Sequence, residues 1–90
     1  GSTTVRRSLM RIPIDVYYDD DLRQIEIYGE EDMDVQIYLR DENGNTITYS
    51  STINTILDVP DGYSGLLSIW IESENWIFTG KLLFDISQTN

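Results

Sequence analysis

The sequence predicts an all-β domain, an antiparallel β-sandwich of about seven strands. Three observations carry this. Apolar residues alternate with period two along nearly the whole chain, the signature of strands with one buried and one wet face. Every gap between the alternating runs holds turn-forming residues, so a turn recurs every ~8–12 residues. No segment shows a sustained helical period.

The elements follow in order. Ile12, Ile14, Val16 and Tyr18 share a phase and place a strand at 11–18; Ile25 and Ile27 place one at 22–28. Val35, Ile37 and Leu39 mark 34–40, Ile47 and Tyr49 mark 46–51, and Ile53, Leu57 and Val59 mark 53–59. Leu67, Ile69 and Ile71 mark 66–72. The final run, 76–86, alternates Trp76, Phe78, Gly80, Leu82, Phe84 and Ile86 against polar positions, with Ile77 and Leu83 as apolar exceptions. Between them stand DDD at 19–21, GEEDMD at 29–34, DENGN at 41–45, PDGYSG at 60–65 and SEN at 73–75. Residues 1–10 read as a flexible N-terminal arm, and 11–87 as one sandwich domain.

The hairpin around DENGN can be set by parity. A two-residue Asn43-Gly44 turn would bring Leu39 opposite Thr48 and put the apolar faces out of register. A three-residue loop, Glu42-Asn43-Gly44, pairs Asp41 with Asn45, Arg40 with Thr46, Leu39 with Ile47, Tyr38 with Thr48 and Ile37 with Tyr49. Asp at the first turn position and a left-handed glycine at the fourth suit a type I turn closed by a G1 bulge. The expected hairpin is therefore the three-residue form, with Gly44 in the special position.

The chain has 90 residues, 40% of them hydrophobic, enough for one globular domain. Sixteen acids face six bases, for a net charge of −10, which opposes nucleic-acid phosphates and anionic membranes. Arg6, Arg7 and Arg11 form a local basic patch that reads as a solvated arm. Cys and His are both absent, which removes disulfides, thiolate nucleophiles, Ser–His–Asp triads and most transition-metal ligation. No run approaches the ~18–20 apolar residues of a membrane-spanning helix. The chain has no signal-peptide pattern, and Gly1 reads as an expression remnant, so a trimmed mature form is expected.

The order RRSLMRIPIDVYY, LRQIEIYG, DVQIYLRDENGNTITYS, ILDVPDGYSGLLSIWI and IFTGKLLFDIS resembles a family of small secreted proteins of unknown function from Bacteroides-type gut bacteria. The resemblance spans most of residues 6–87 and implies an immunoglobulin-like (fibronectin-III-like) sandwich. It also implies export to the periplasm, the cell surface or the extracellular space. It implies no catalytic residue. One departure is visible: where the family has Gly-x-Tyr entering its penultimate strand, Gly65-Leu66-Leu67 places a leucine. A tyrosine-corner contact is not expected from that position, and Tyr63 is assigned to bracing the PDG turn.

Chemistry is sparse. The acids at 19–21 and 30–34 could in principle gather oxygens for calcium, whereas DENGN lacks the ligand spacing of an EF-hand loop. Acidic turns also serve solubility and discourage edge-to-edge pairing. No enzyme activity, cofactor or metal is expected. Tyr38 and Trp70 stand on the polar phase of their strands. In an immunoglobulin-like topology the third, sixth and seventh strands share a sheet, so Tyr38, Trp70 and Ile77 would form an aromatic patch on its outer face; alternatively a loop or bulge covers Trp70. The expected function is a non-catalytic protein-binding or adhesion-type module with an unknown partner at the cell surface. The alternatives are a carbohydrate-binding module on the same patch and a calcium-stabilised spacer.

Overall fold

The computed structural model describes residues 2–4, as backbone, and 12–84. Its strands are β1 (Ser2–Thr4), β2 (Asp15–Asp19), β3 (Gln24–Tyr28), β4 (Gln36–Arg40), β5 (Thr46–Ser50), β6 (Thr55–Asp58), β7 (Gly65–Glu72) and β8 (Ile77–Phe84). They form two four-stranded antiparallel sheets, ordered β1-β2-β3-β6 and β5-β4-β7-β8. The fold is an all-β sandwich, as the alternation predicts.

The seven expected strands are β2 to β8; of the last, expected over 76–86, residues 85 and 86 lie outside the described residues. Part of the expected N-terminal arm is strand: Ser2–Thr4 lies along β2, with Ser2 opposite Asp19 and Thr4 opposite Tyr17. This pairing covers an edge of β2 that would otherwise leave backbone groups without partners. The basic residues Arg6, Arg7 and Arg11, and Ile86, lie outside the described residues.

The core follows the predicted phase. Ile14, Val16, Ile25, Ile27 and Leu57 of one sheet region meet Val35, Ile37, Leu39, Leu67, Ile69, Ile71, Phe78 and Phe84 of the other, all buried. Each alternate residue of β3, β4 and β7 is driven inside by its apolar area, worth about 1.5–3 kcal/mol per fully buried side chain. Trp76 and Leu82 pack half-buried at the margin of this core, while Ile77 and Leu83 point out.

The β4–β5 hairpin has the expected loop but not the expected register beyond it. The loop is the expected three-residue form. Asp41 N–H donates to the Asn45 carbonyl at 2.9 Å, Gly44 N–H donates to the Asp41 carbonyl at 3.0 Å, and Gly44 has φ +88°. Arg40 faces Thr46 as expected, but the register then shifts: Leu39 faces Thr48, Tyr38 faces Tyr49 and Ile37 faces Ser50. The pairs Leu39–Ile47, Tyr38–Thr48 and Ile37–Tyr49 do not form. Ile47 is the extra residue of a second bulge, where two residues oppose one. The bulge lets Ile47 pack against the core and still turns Tyr49 outward, where it is 51% exposed.

Arg23 links the two sheets at one end of the sandwich. Its Nη2 donates to the carbonyls of Tyr63 at 2.9 Å and Pro60 at 3.4 Å, and its guanidinium lies 5.0 Å from the Phe84 ring centre. Tyr18 and Tyr63 meet the same ring edge-on, at 5.1 and 6.0 Å. Tyr63 braces the PDG turn through its N–H to the Pro60 carbonyl at 3.1 Å. Its hydroxyl also donates to the Leu66 carbonyl at 2.6 Å. A tyrosine-to-backbone clasp therefore exists at this corner, supplied by Tyr63 instead of the position that leucine fills.

Candidate binding face

The outer face of the β5-β4-β7-β8 sheet is set by register. Inward Ile37, Leu39, Ile69, Ile71 and Phe78 force Tyr38, Arg40, Trp70, Thr79 and Lys81 outward. One row across the sheet reads Tyr49, Tyr38, Trp70, Thr79; the next reads Thr46, Arg40, Ser68, Lys81. Tyr38 and Trp70 are thus direct cross-strand neighbours. Ile77, 52% exposed, shares the face but pairs with Glu72 and stands diagonal to Trp70.

The side chains of these rows interlock. The Tyr38 and Tyr49 rings are 5.3 Å apart and tilted by 50°. The Arg40 guanidinium lies 4.7 Å from the Tyr38 ring centre and 5.6 Å from that of Trp70, a cation–π arrangement on both. Arg40 Nε also donates to Thr46 Oγ1 at 3.4 Å. The Trp70 indole N–H donates to Glu72 Oε1 at 2.9 Å, and the Tyr49 hydroxyl donates to Gln36 Oε1. Trp70 is half-buried, with the Arg40 guanidinium over its ring.

Beside Trp70 lies an open depression of about 420 Å³, lined by Arg40, Ser68, Thr79 and Lys81 and by Asp41 and Glu42 of the hairpin turn. Ser68 is the short side chain between the two cations of its row, which is why the surface dips there. The Asp41 carboxylate is occupied locally. It accepts from the N–H groups of Asn43 and Asn45, each at 2.9 Å, and from Asn45 Nδ2 at 3.3 Å. The Asn45 backbone N–H is the main cause that holds the Asp41 carboxyl below its ordinary value, against a smaller opposing effect of desolvation. Glu42 leans across to Gly65, where φ is +116° and a Cβ would come within 2.7 Å of Glu42 Oε2. Burial pushes the Tyr63 phenol above its ordinary value, and the Asp41 and Glu42 carboxylates push it the same way.

Of the expected patch residues, Tyr38 and Trp70 come together and Ile77 joins them at the margin. Arg40 and Tyr49 complete the cluster. Arg40 shares the phase of Tyr38 two residues away, so its face was legible; Tyr49 required the bulge at Ile47.

The acidic turns behave differently from one another. Carboxylate oxygens of Asp19, Asp20 and Asp21 lie within 4.8 Å of one another. Asp19 Oδ1 accepts the N–H groups of Asp21 at 3.0 Å and Leu22 at 3.1 Å, so this carboxylate caps its own turn. Among the described residues, Glu30, Glu31, Asp32 and Asp34 form no such convergent group. No helix among the described residues is long and apolar enough to cross a membrane.

Comparison with protein-family models, with curated proteins and with solved structures returned no match.

Proposed function

We propose that the chain is a non-catalytic, immunoglobulin-like module of the fibronectin-III type that binds a protein partner through the outer face of its β5-β4-β7-β8 sheet. Strand order supports the fold part of this reading. With β1 set aside, β2-β3-β6 faces β5-β4-β7-β8, which corresponds to strands A, B and E against C′, C, F and G. An extracellular setting, implied by the resemblance of the sequence, belongs to the same proposal.

The observation that carries the binding reading is the Tyr49-Tyr38-Arg40-Trp70 cluster. Trp, Tyr and Arg are the residues in which interface energy concentrates, and here all three kinds interlock on one exposed sheet face. The arrangement suits a protein better than a sugar. A sugar ring stacks on a bare aromatic face, and Arg40 already lies over Tyr38 and Trp70. The depression beside Trp70 favours the second reading, glycan binding, because Ser68, Thr79, Asp41 and Glu42 offer hydrogen-bonding groups around it.

Affinity capture from the native cell envelope tests the first reading, comparing wild type with a Tyr38→Ala/Trp70→Ala variant. A partner held by wild type and lost by the folded variant is expected; equal capture by both refutes the role of this face. Tryptophan fluorescence titrated with plant and mucin glycans tests the second, and an unchanged spectrum throughout rejects it.

A further inference from the structure

The four sheet edges are not equivalent. Among the described residues, β1 has three residues, β6 has four, and β5 has five with a bulge at Ile47. Short or bulged edges resist pairing with another chain. β8 is the exception: eight residues, in unbroken register with β7 from Ile77 to Phe84, without proline or bulge. Among the described residues nothing pairs with its outer edge. Its sequence, IFTGKLLF, contains no acid in a chain of net charge −10.

The strand is also close to self-complementary. Two antiparallel strands keep inward residues opposite inward ones only if the pairing is centred on a residue. Centred on Gly80, β8 against a second β8 places Ile77 opposite Leu83, Phe78 opposite Leu82 and Thr79 opposite Lys81. Ile77 and Leu83 are among the most exposed apolar side chains of the described residues, at 52% and 76%, and this register covers both, twice over by symmetry. Leu82, half-buried at the core margin, meets Phe78 on the inner face. Centring on Lys81 would instead set two lysines face to face, and centring on Thr79 would leave Leu83 beyond the end of the partner strand.

We propose that β8 is a self-association edge: two copies of the chain pair β8 with β8, antiparallel about Gly80, into one continuous eight-stranded sheet. This lies beyond the proposed function: the seam takes in Ile77, Thr79 and Lys81 at the margin of the outer face but leaves Tyr38, Arg40, Tyr49 and Trp70 outside it. The dimer would set two copies of that face on one side of the joint sheet. The seam is small, and the two chains repel at low ionic strength, so association tightens with added salt.

Sedimentation equilibrium from micromolar to millimolar concentration tests the proposal. Wild type is expected to dimerise reversibly. Leu83→Lys and Ile77→Glu, both at exposed positions, should each weaken the dimer roughly tenfold or more, because each changes two cross-strand pairs. The double variant Ile77→Glu/Leu83→Lys should recover association, since only the Gly80-centred register brings each introduced acid opposite an introduced base. Tyr38→Ala/Trp70→Ala should dimerise like wild type, whatever becomes of partner binding. A wild-type chain that stays monomeric at millimolar concentration overturns the proposal, as does a dimer indifferent to both single variants. A double variant no better than the singles overturns the register.

Discussion

Replacing Gly44 with valine isolates one energetic term. Gly44 has φ +88°, and beyond its own residue and its two chain neighbours a Cβ built there meets nothing within 4 Å. Packing therefore contributes nothing, and the cost is the backbone's own: a Cβ in left-handed geometry crowds the following carbonyl, at roughly 1–2 kcal/mol. Branching at Cβ places valine toward the upper end. For a domain of this size each kcal/mol corresponds to ~4–8 °C, so Gly44→Val should melt about 5–15 °C below wild type. Gly44→Asn, which tolerates positive φ, should lose distinctly less. Thermal denaturation followed by circular dichroism reads both, and urea titration with an unchanged m-value shows that stability has changed and the surface exposed on unfolding has not. A Gly44→Val melting point equal to wild type would refute the left-handed turn and the three-residue loop built on it.

Asp41→Ala should destabilise the same turn at neutral pH. The folded Asp41 carboxyl titrates below the ordinary 3.8, chiefly because the Asn45 N–H favours the ionised form. Its contribution is thus complete above that value and fades as pH falls through the lowered one, so the gap between wild type and variant narrows in acid; a constant gap in melting profiles refutes the hydrogen-bonded role. Tyr49→Ala should cost only about 1–2 kcal/mol, from its ring contact with Tyr38 and the half of its ring that is covered. A loss of ~3–5 kcal/mol in urea unfolding, typical of a buried aromatic, would restore the inward Tyr49 and remove the bulge at Ile47.

Local patterning determined much of this protein. Burial is a one-dimensional signal in a strand, so Ile37, Leu39, Ile69, Ile71, Phe78 and Phe84 declared their faces through period two, and Ile77 and Leu83 declared themselves exceptions. The Asp41–Gly44 turn was legible because its chemistry is local: one carboxylate, the amides two and four residues on, and one residue that must accept positive φ. Tyr38 and Trp70 were legible as outward residues for the same reason.

The tertiary structure decided what depends on another strand. The second bulge at Ile47 has no turn residue to announce it. It exists because Ile47 gains burial against the core while the remaining ladder re-pairs one residue on. That shift brings Tyr49 to Tyr38 and completes the aromatic row. Arg40 acquires its place over two rings only when β4 lies beside β7. Likewise, Arg23 reaches Pro60, Tyr63 and Phe84 because sheet order brings residues far apart in sequence to one end of the sandwich. Period two fixes which way a residue points; which neighbours it meets is set by register and sheet order, and those are settled by the whole core at once.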